Sequence, residues 1–152
     1  MENKHNKNSN TQKMMDPNRQ AAQFERVRTA QQTEKAEDYV EMIDDLIKVY
    51  GEARVVDLAK RFGVSHATVY KVIKRLQRDG LVHTRPYRSI FLTSEGHKLA
   101  NASRKRHQIV LNFLRAIGVS KQTAEQDAEG IEHYASDETL MAFSQFVAQS
   151  KK

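Results

Sequence analysis

In the run DAEGIEHYAS, Asp127 to Ser136, three side chains carry atoms that bind metal ions: Glu129, Glu132 and His133. Their spacings of three and one place them on one face of a helix, within a turn. Asp38 and Glu41, three apart, share a face of another helix. His107 lies in SRKRHQIV, beside an apolar run that has to be buried. Carboxylate and imidazole donors without sulfur suit Mn²⁺, Fe²⁺ or Co²⁺, and would also hold zinc. Carboxylates at this spacing also occur on ordinary solvated helix faces, and a histidine at a core edge is usually satisfied by a hydrogen bond. Spacing alone leaves both readings open. One observation favours an ion. In DAEGIEHY, Ile131 is nearly the only apolar anchor, and a turn with several acids and a glycine has poor intrinsic helix stability. Convergence of Asp38, Glu41, Glu129 and Glu132 would gather four carboxylates, whose charge two divalent ions would neutralise.

The elements that must position these groups can be read from periodicity. Residues 1 to about 20 are rich in Asn, Lys and Gln and are expected to be a disordered arm. Residues 21–34 have good helix formers but a thin apolar stripe, and are expected to form a marginal helix needing a partner. Order is expected to begin near Glu37, where Tyr39, Val40, Ile43, Leu46 and Ile47 mark an amphipathic helix stopped by Gly51. Val56, Leu58, Ala59 and Phe62 mark a short helix, Gly63 suits the turn after it, and Ser65 is a good N-cap. Val69, Val72, Ile73 and Leu76 carry the next helix, which Gly80 ends, and the pair reads as a helix-turn-helix. LVHTRPYRSIFLT then reads as two short strands around a turn at Arg85 to Ser89, the hairpin that makes a winged helix. A long helix follows from about Ser94 to Ile117, with Gly118 as its C-cap. Ser120 caps a helix over 121–134, and another covers 136–149, with Leu140, Phe143 and Phe146 on one side.

The chain of 152 residues is long enough for one ordinary domain or two very small ones. Lys and Arg number 25 against 19 acidic residues, a net charge of +6 that weakly favours a polyanionic partner. The absence of cysteine excludes disulfides, thiolate metal sites and cysteine nucleophiles together. No apolar run approaches the roughly 20 residues of a membrane span, and the N-terminus is too polar for a signal peptide. The expectation is a cytoplasmic protein with no membrane partner, in which the sequon at Asn101 to Ser103 is a chance match.

With its apolar positions turned inward, the second helix of the helix-turn-helix leaves Ser65, His66, Thr68, Lys71, Lys74 and Arg78 outside. Small polar residues at its start can approach base edges, and the later cations can meet phosphates. Arg85 and Arg88 on the hairpin would reach backbone or minor groove, and Arg54 and Tyr70 complete the candidate DNA-binding set. Singly these are ordinary solvated side chains. In helix-turn-hairpin order they favour double-stranded DNA over RNA.

Taken together, EDYVEMIDDLI, GEARVVDLAKRFGVSHATVYKVIKRLQRDGLV, FLTSEGHKLA, RHQIVLNFLRAIGVS and DAEGIEHYAS carry a resemblance. The chain resembles the manganese-responsive transport regulators of the diphtheria toxin repressor family, over roughly Glu37 to Phe146. The resemblance implies a mainly α protein. Its parts would be a winged helix-turn-helix domain with a small β-hairpin wing over 35–98 and a helical metal-binding and dimerisation domain over 99–152, after a disordered or partly helical arm over 1–34. It implies a homodimeric Mn²⁺-dependent repressor of metal-uptake genes that binds operator DNA, takes two ions per subunit and is not an enzyme. The implied ligands are Asp38, Glu41, His107, Glu129, Glu132 and His133. The family's iron-responsive branch has sulfur where this chain has Asp38 and Glu129, which points to manganese. Tyr134 departs from the pattern, since relatives often have a second histidine there, and the arm is longer than in the shortest relatives. The competing expectations are a winged-helix regulator answering to Fe²⁺ or to a small organic effector, and a small di-metal hydrolase. The hydrolase would need an open coordination position and a substrate cleft, and no nucleophile–base pair stands out.

Overall fold

The computed structural model describes residues 14–85 and 89–152. Its first element, α1, runs unbroken from Pro17 to Tyr50. The Asp16 side chain accepts hydrogen bonds from the backbone N–H groups of Asn18 and Arg19, and Pro17 sits in the first turn, where its missing N–H costs nothing. Gly51, at φ 83°, ends the helix by donating to the Ile47 carbonyl at 2.9 Å. This corrects two expectations. Order does not begin near Glu37, and the arm expected over 1 to about 20 is helical from Pro17. No proline or glycine interrupts 18–50, so a helix nucleated by the buried stripe propagates outward through good helix formers. Residues 1–13 lie outside the described part of the chain.

A short strand, β1 (Ala53–Arg54), leads into α2 (Val55–Phe62) and α3 (His66–Arg78). Gly63 adopts φ 65° between the helices, and Ser65 caps α3 by accepting from the Thr68 N–H. The wing follows as β2 (Val82–Thr84) and β3 (Ser89–Leu92), antiparallel with Val82 opposite Leu92 and Thr84 opposite Ile90. The Arg85 N–H donates to the Ser89 carbonyl at 3.1 Å, while Pro86, Tyr87 and Arg88 lie outside the described residues. The wing has a third strand that periodicity did not reveal: β1 pairs with β3, giving the order β1-β3-β2. Two residues are too few to show an alternation.

Three helices complete the chain: α4 (Ser94–Ala116), α5 (Lys121–Tyr134) and α6 (Asp137–Ser150). Two apolar cores result. The first joins α1 from Tyr39 to Leu46 with α2, α3, the wing and Ala100 of α4. Each of its large aliphatic side chains, such as Ile43, Leu58 and Leu76, stabilises by about 1.5–3 kcal/mol when fully buried. The second joins Val110 and Leu114 of α4 with Ala124 and Ala128 of α5 and Leu140 of α6, and Phe113 stacks on Phe143. α4 belongs to both cores, so a boundary at 98/99 falls inside a continuous helix. No helix among the described residues is long and apolar enough to cross a membrane.

The joint between wing and α4 generates a prediction. Gly96 is buried in the first turn of α4, where a Cβ would lie 2.1 Å from the Leu81 carbonyl oxygen. That carbonyl already accepts the Thr93 N–H at 3.0 Å, so neither side can yield cheaply. Gly96→Ala is expected to destabilise by about 1–3 kcal/mol, read as a lower urea midpoint at unchanged slope. A loss below about 0.5 kcal/mol, the range of ordinary surface substitutions, would contradict the close approach.

Candidate metal centre and nucleic-acid interface

The side chains singled out for metal binding come from three helices. α1 presents Asp38 and Glu41, α4 presents His107, and α5 presents Glu129, Glu132 and His133. The fold brings them to one junction. His133 Nε2 lies 3.2 Å from Asp38 Oδ1 and 3.3 Å from Glu132 Oε1. His107 Nδ1 lies 3.0 Å from Glu132 Oε2 and 3.4 Å from Glu129 Oε1. Glu132 thus stands between two histidines, one on each side of its carboxylate.

Sequence reasoning missed Glu37. It is 1 % exposed, and its Oε2 lies 2.6 Å from Nδ1 of His133. The Arg106 guanidinium donates to its other oxygen. Glu37 therefore fixes the His133 ring and leaves Nε2 turned toward Asp38 and Glu132, as carboxylates behind ligating histidines do. Glu34 was missed as well: carboxylate oxygens of Glu34 and Asp38 and a ring nitrogen of His133 lie within 4.8 Å of one another. The available signal was spacing, since 34, 37, 38 and 41 form one helical stripe. It was hidden by reading residues before Glu37 as an arm.

The electrostatics suit a cation. Burial pushes the Glu132 carboxyl up to about 8; the His133 charge opposes this and the Glu129, Glu41 and Asp38 carboxylates reinforce it. Burial, again with Glu129 and Asp38, also raises Glu41, against the Ser103 hydroxyl and the Arg104 charge. For His133, burial disfavours the charged ring, but the bonds to Asp38 and Glu37 and the nearby acids prevail and push it up to about 10. Oε1 of Glu41 and Oε2 of Glu132 are buried without a hydrogen-bond partner, the latter being close to His107 but not aligned for a bond. Buried carboxylate oxygens left unsatisfied are costly unless a positive charge meets them. Converging oxygens, two imidazoles and no sulfur therefore fit a hard divalent cation.

The candidate DNA-binding residues lie on or beside α3 and in the wing, and Thr68 lines the same pocket as Asp38 of α1. Ser65, His66, Tyr70, Lys71, Lys74 and Arg78 are exposed on or beside α3. Thr68 is half-buried and its hydroxyl is engaged with Ser65 Oγ at 3.0 Å. Arg54 pairs with Glu52 at 2.9 Å, and Arg85 lies over the Phe91 ring at 4.8 Å. Arg88 falls outside the described residues.

The buried acid generates a prediction for the metal-free protein. A carboxyl raised from 4.5 to about 8 in the fold contributes stability below the unfolded value and loses it as pH rises toward 8. Glu132→Gln removes that titration. In the presence of chelator the variant is expected to match wild type near pH 5 and to melt higher than wild type near pH 8. Equal melting temperatures at both values would contradict a charge held out of water.

Comparisons with known proteins show the family. The model of the iron dependent repressor N-terminal DNA binding domain matches residues 31–90, and that of the iron dependent repressor metal binding and dimerisation domain matches residues 93–152. The chain is 56% identical over 123 residues to the transcriptional regulator MntR of Escherichia coli O6:H1, covering 81% of this chain and 79% of that protein. It is 39% identical over 104 residues to the HTH-type transcriptional regulator MntR of Bacillus subtilis strain 168, covering 68% and 73%. Among solved structures it resembles a manganese-dependent transcriptional repressor in complex with manganese, at 28% identity and TM-score 0.64, covering 74% of this chain and 52% of that one. The IdeR of T. acidophilum gives 25% identity and TM-score 0.65, covering 74% and 53%. The chain spans about half the length of these solved structures.

Proposed function

Because the chain belongs to the iron dependent repressor family, we propose that it is a manganese-dependent DNA-binding repressor that controls manganese homeostasis. The observation that carries this reading is the convergence of Asp38, Glu41, His107, Glu129, Glu132 and His133, with two buried carboxylate oxygens left unsatisfied. Asp38, Glu132 and His133 would hold one ion and Glu129, Glu132 and His107 a second, with Glu41 near enough to Asp38 and Glu129 to add its charge. When bound, the cation supplies the positive charge that these acids lack. The set is rich in hard oxygen, which suits a metal that loses to its neighbours on affinity and has to be selected by coordination.

The protein supplies the coupling. Glu37 holds His133 through Nδ1, so Nε2 is the nitrogen left for a ligand. Both His133 and Glu132 must shed their protons to bind, so capture strengthens as pH rises. Asp38 and Glu41 sit on the same helix as Tyr39, Val40, Ile43 and Leu46, which are core residues of the winged helix. Fixing α1 against α4 and α5 therefore fixes the recognition helix relative to the dimerisation helices. In a homodimer that sets the distance between two recognition helices, which has to match half-sites one turn of DNA apart. A form favoured by metal and competent for DNA gains population by the differential affinity alone. The exposed face of α3 reads the operator, with Lys71 and Lys74 against phosphates.

The direct test is binding to a duplex selected from random sequence by the Mn²⁺-loaded protein, titrated at fixed salt with Mn²⁺, Fe²⁺, Zn²⁺ or chelator. Mn²⁺ is expected to tighten binding in wild type. His133→Ala is expected to stay folded and dimeric and to lose the response. Equal binding in chelator and Mn²⁺ would refute metal control.

A separate outcome concerns the reading face. Lys71→Ala and Lys74→Ala are each expected to weaken binding to all sequences alike and to lower the salt slope by about one unit. An unchanged slope in both removes them from the interface.

A further inference from the structure

Glu34 lies one turn before Asp38 on α1, in the stretch that precedes the winged helix. Its Oε2 accepts a hydrogen bond from the Tyr134 hydroxyl of α5 at 2.9 Å. One such bond leaves lone pairs free on both carboxylate oxygens. An oxygen of Glu34 lies within 4.8 Å of one from Asp38 and of a ring nitrogen of His133. The Glu34 and Asp38 side chains also border a pocket walled by Phe62, Val64 and Thr68, so solvent reaches them. A second observation stands apart from this cluster. Glu132, 2 % exposed, sets Oε1 at 3.3 Å from His133 Nε2, the nitrogen that faces Asp38, and its Oε2 has no hydrogen-bond partner. Glu132 thus sets one buried carboxyl oxygen against the Glu34–Asp38–His133 group, while its unmet oxygen turns to His107.

We infer that Glu34 is a further ligand for a divalent cation on the His133–Asp38 side of the centre, and that Tyr134 is its positioning residue. The inference rests on the metal-sensor reading above. It gives Tyr134 a role distinct from ligation: its hydroxyl donates to Glu34 and holds that carboxylate toward Asp38. It adds a hard oxygen to a set that already lacks sulfur, which raises the coordination number available and favours Mn²⁺ over ions content with four ligands. It also extends the reach of the centre. Asp38 and Glu41 attach only the part of α1 already packed in the winged-helix core, whereas Glu34 attaches the helix that stands outside it.

The test measures Mn²⁺ binding without DNA, by electron paramagnetic resonance of the free ion, for wild type, Glu34→Gln, Tyr134→Phe and Glu132→Ala. Backbone hydrogen exchange over residues 17–34 is followed with and without Mn²⁺. Glu34→Gln preserves shape and is expected to bind Mn²⁺ about tenfold more weakly or worse. Tyr134→Phe is expected to lose affinity in the same direction but less. Exchange over 17–34 is expected to slow with Mn²⁺ in wild type and to stay unchanged in Glu34→Gln. Wild-type affinity and slowing in Glu34→Gln, beside a loss in Glu132→Ala, would overturn the role of Glu34 and leave the sensor reading intact. Undiminished Mn²⁺ binding in Glu132→Ala would overturn both.

Discussion

Two carboxylates removed from water, Glu37 at 1 % exposure and Glu132 at 2 %, set the terms on which three helices meet. An ionised carboxylate in such a place is tolerated only when a cation or several donors face it. Glu37 has both, from Arg106 on α4 and His133 on α5, and its net pKa is lowered although burial pushes the other way. Glu132 has no equivalent. Its neighbours His107 and His133 are shared with Glu129, Asp38 and Glu37, and the Glu129, Glu41 and Asp38 carboxylates stand close enough to raise it. The junction of α1, α4 and α5 is therefore compensated on one side and short of positive charge on the other.

That asymmetry matters because apolar packing does not settle how the two halves sit. The winged-helix core and the α4–α5–α6 core are separate clusters, joined through α4 and through α1. α1 meets α4 at two places. Near its C-terminal half, Asp44 accepts from Arg104 at 2.6 Å, Asp45 accepts from the same guanidinium at 2.7 Å, and Lys48 adds a further cation at 2.8 Å. Those partners hold the Asp44 carboxyl below its usual range against the effect of burial. The point is self-sufficient. Seven residues earlier, about 10 Å along the axis, lies the Glu37–His133–Glu132 group, whose charge balance changes with what is bound. α1 is thus held by self-compensated charges at one point and by an uncompensated group at the other.

Much of this was legible in the sequence, for identifiable reasons. Helices α2 to α6 were marked by apolar periodicity together with caps: Ser65, Ser120 and Ser136 each accept from the N–H three residues on, and Gly63, Gly80 and Gly118 take positive φ. Of the acids and histidines expected to bind metal, Asp38, His107, Glu129, Glu132 and His133 meet at one junction, because donor type and helical spacing are properties of the chain itself, and Glu41 stands near enough to Asp38 and Glu129 to be raised by them. What stayed hidden depends on tertiary pairing. Glu37 looks like any helix-surface acid until Arg106, 69 residues away, and His133, 96 away, close on it. β1 exists only because Ala53 meets Ile90. The continuity of α1 through 17–36 has the opposite origin: its apolar stripe is weak, but its residues are good helix formers and carry the helix outward from the buried part.

The polar character of that early stretch bears on how the halves communicate. Gln32 and Glu34 are two residues apart, so they point to nearly opposite sides of α1. Gln32 Oε1 accepts from Arg75 of the recognition helix at 3.2 Å, and Glu34 accepts from Tyr134 of α5 at 2.9 Å. One turn of helix thus touches α3 on one side and α5 on the other. Exposed hydrogen bonds and ion pairs of this kind are worth about 0–1 kcal/mol each. Such contacts do not lock an arrangement. They leave the turn free to follow whichever neighbour is more firmly held. The strongly held neighbours are set elsewhere: by the apolar core beneath α3, and by the charge balance around Glu132. Of the two, the charge balance around Glu132 is the one that a bound ion would change.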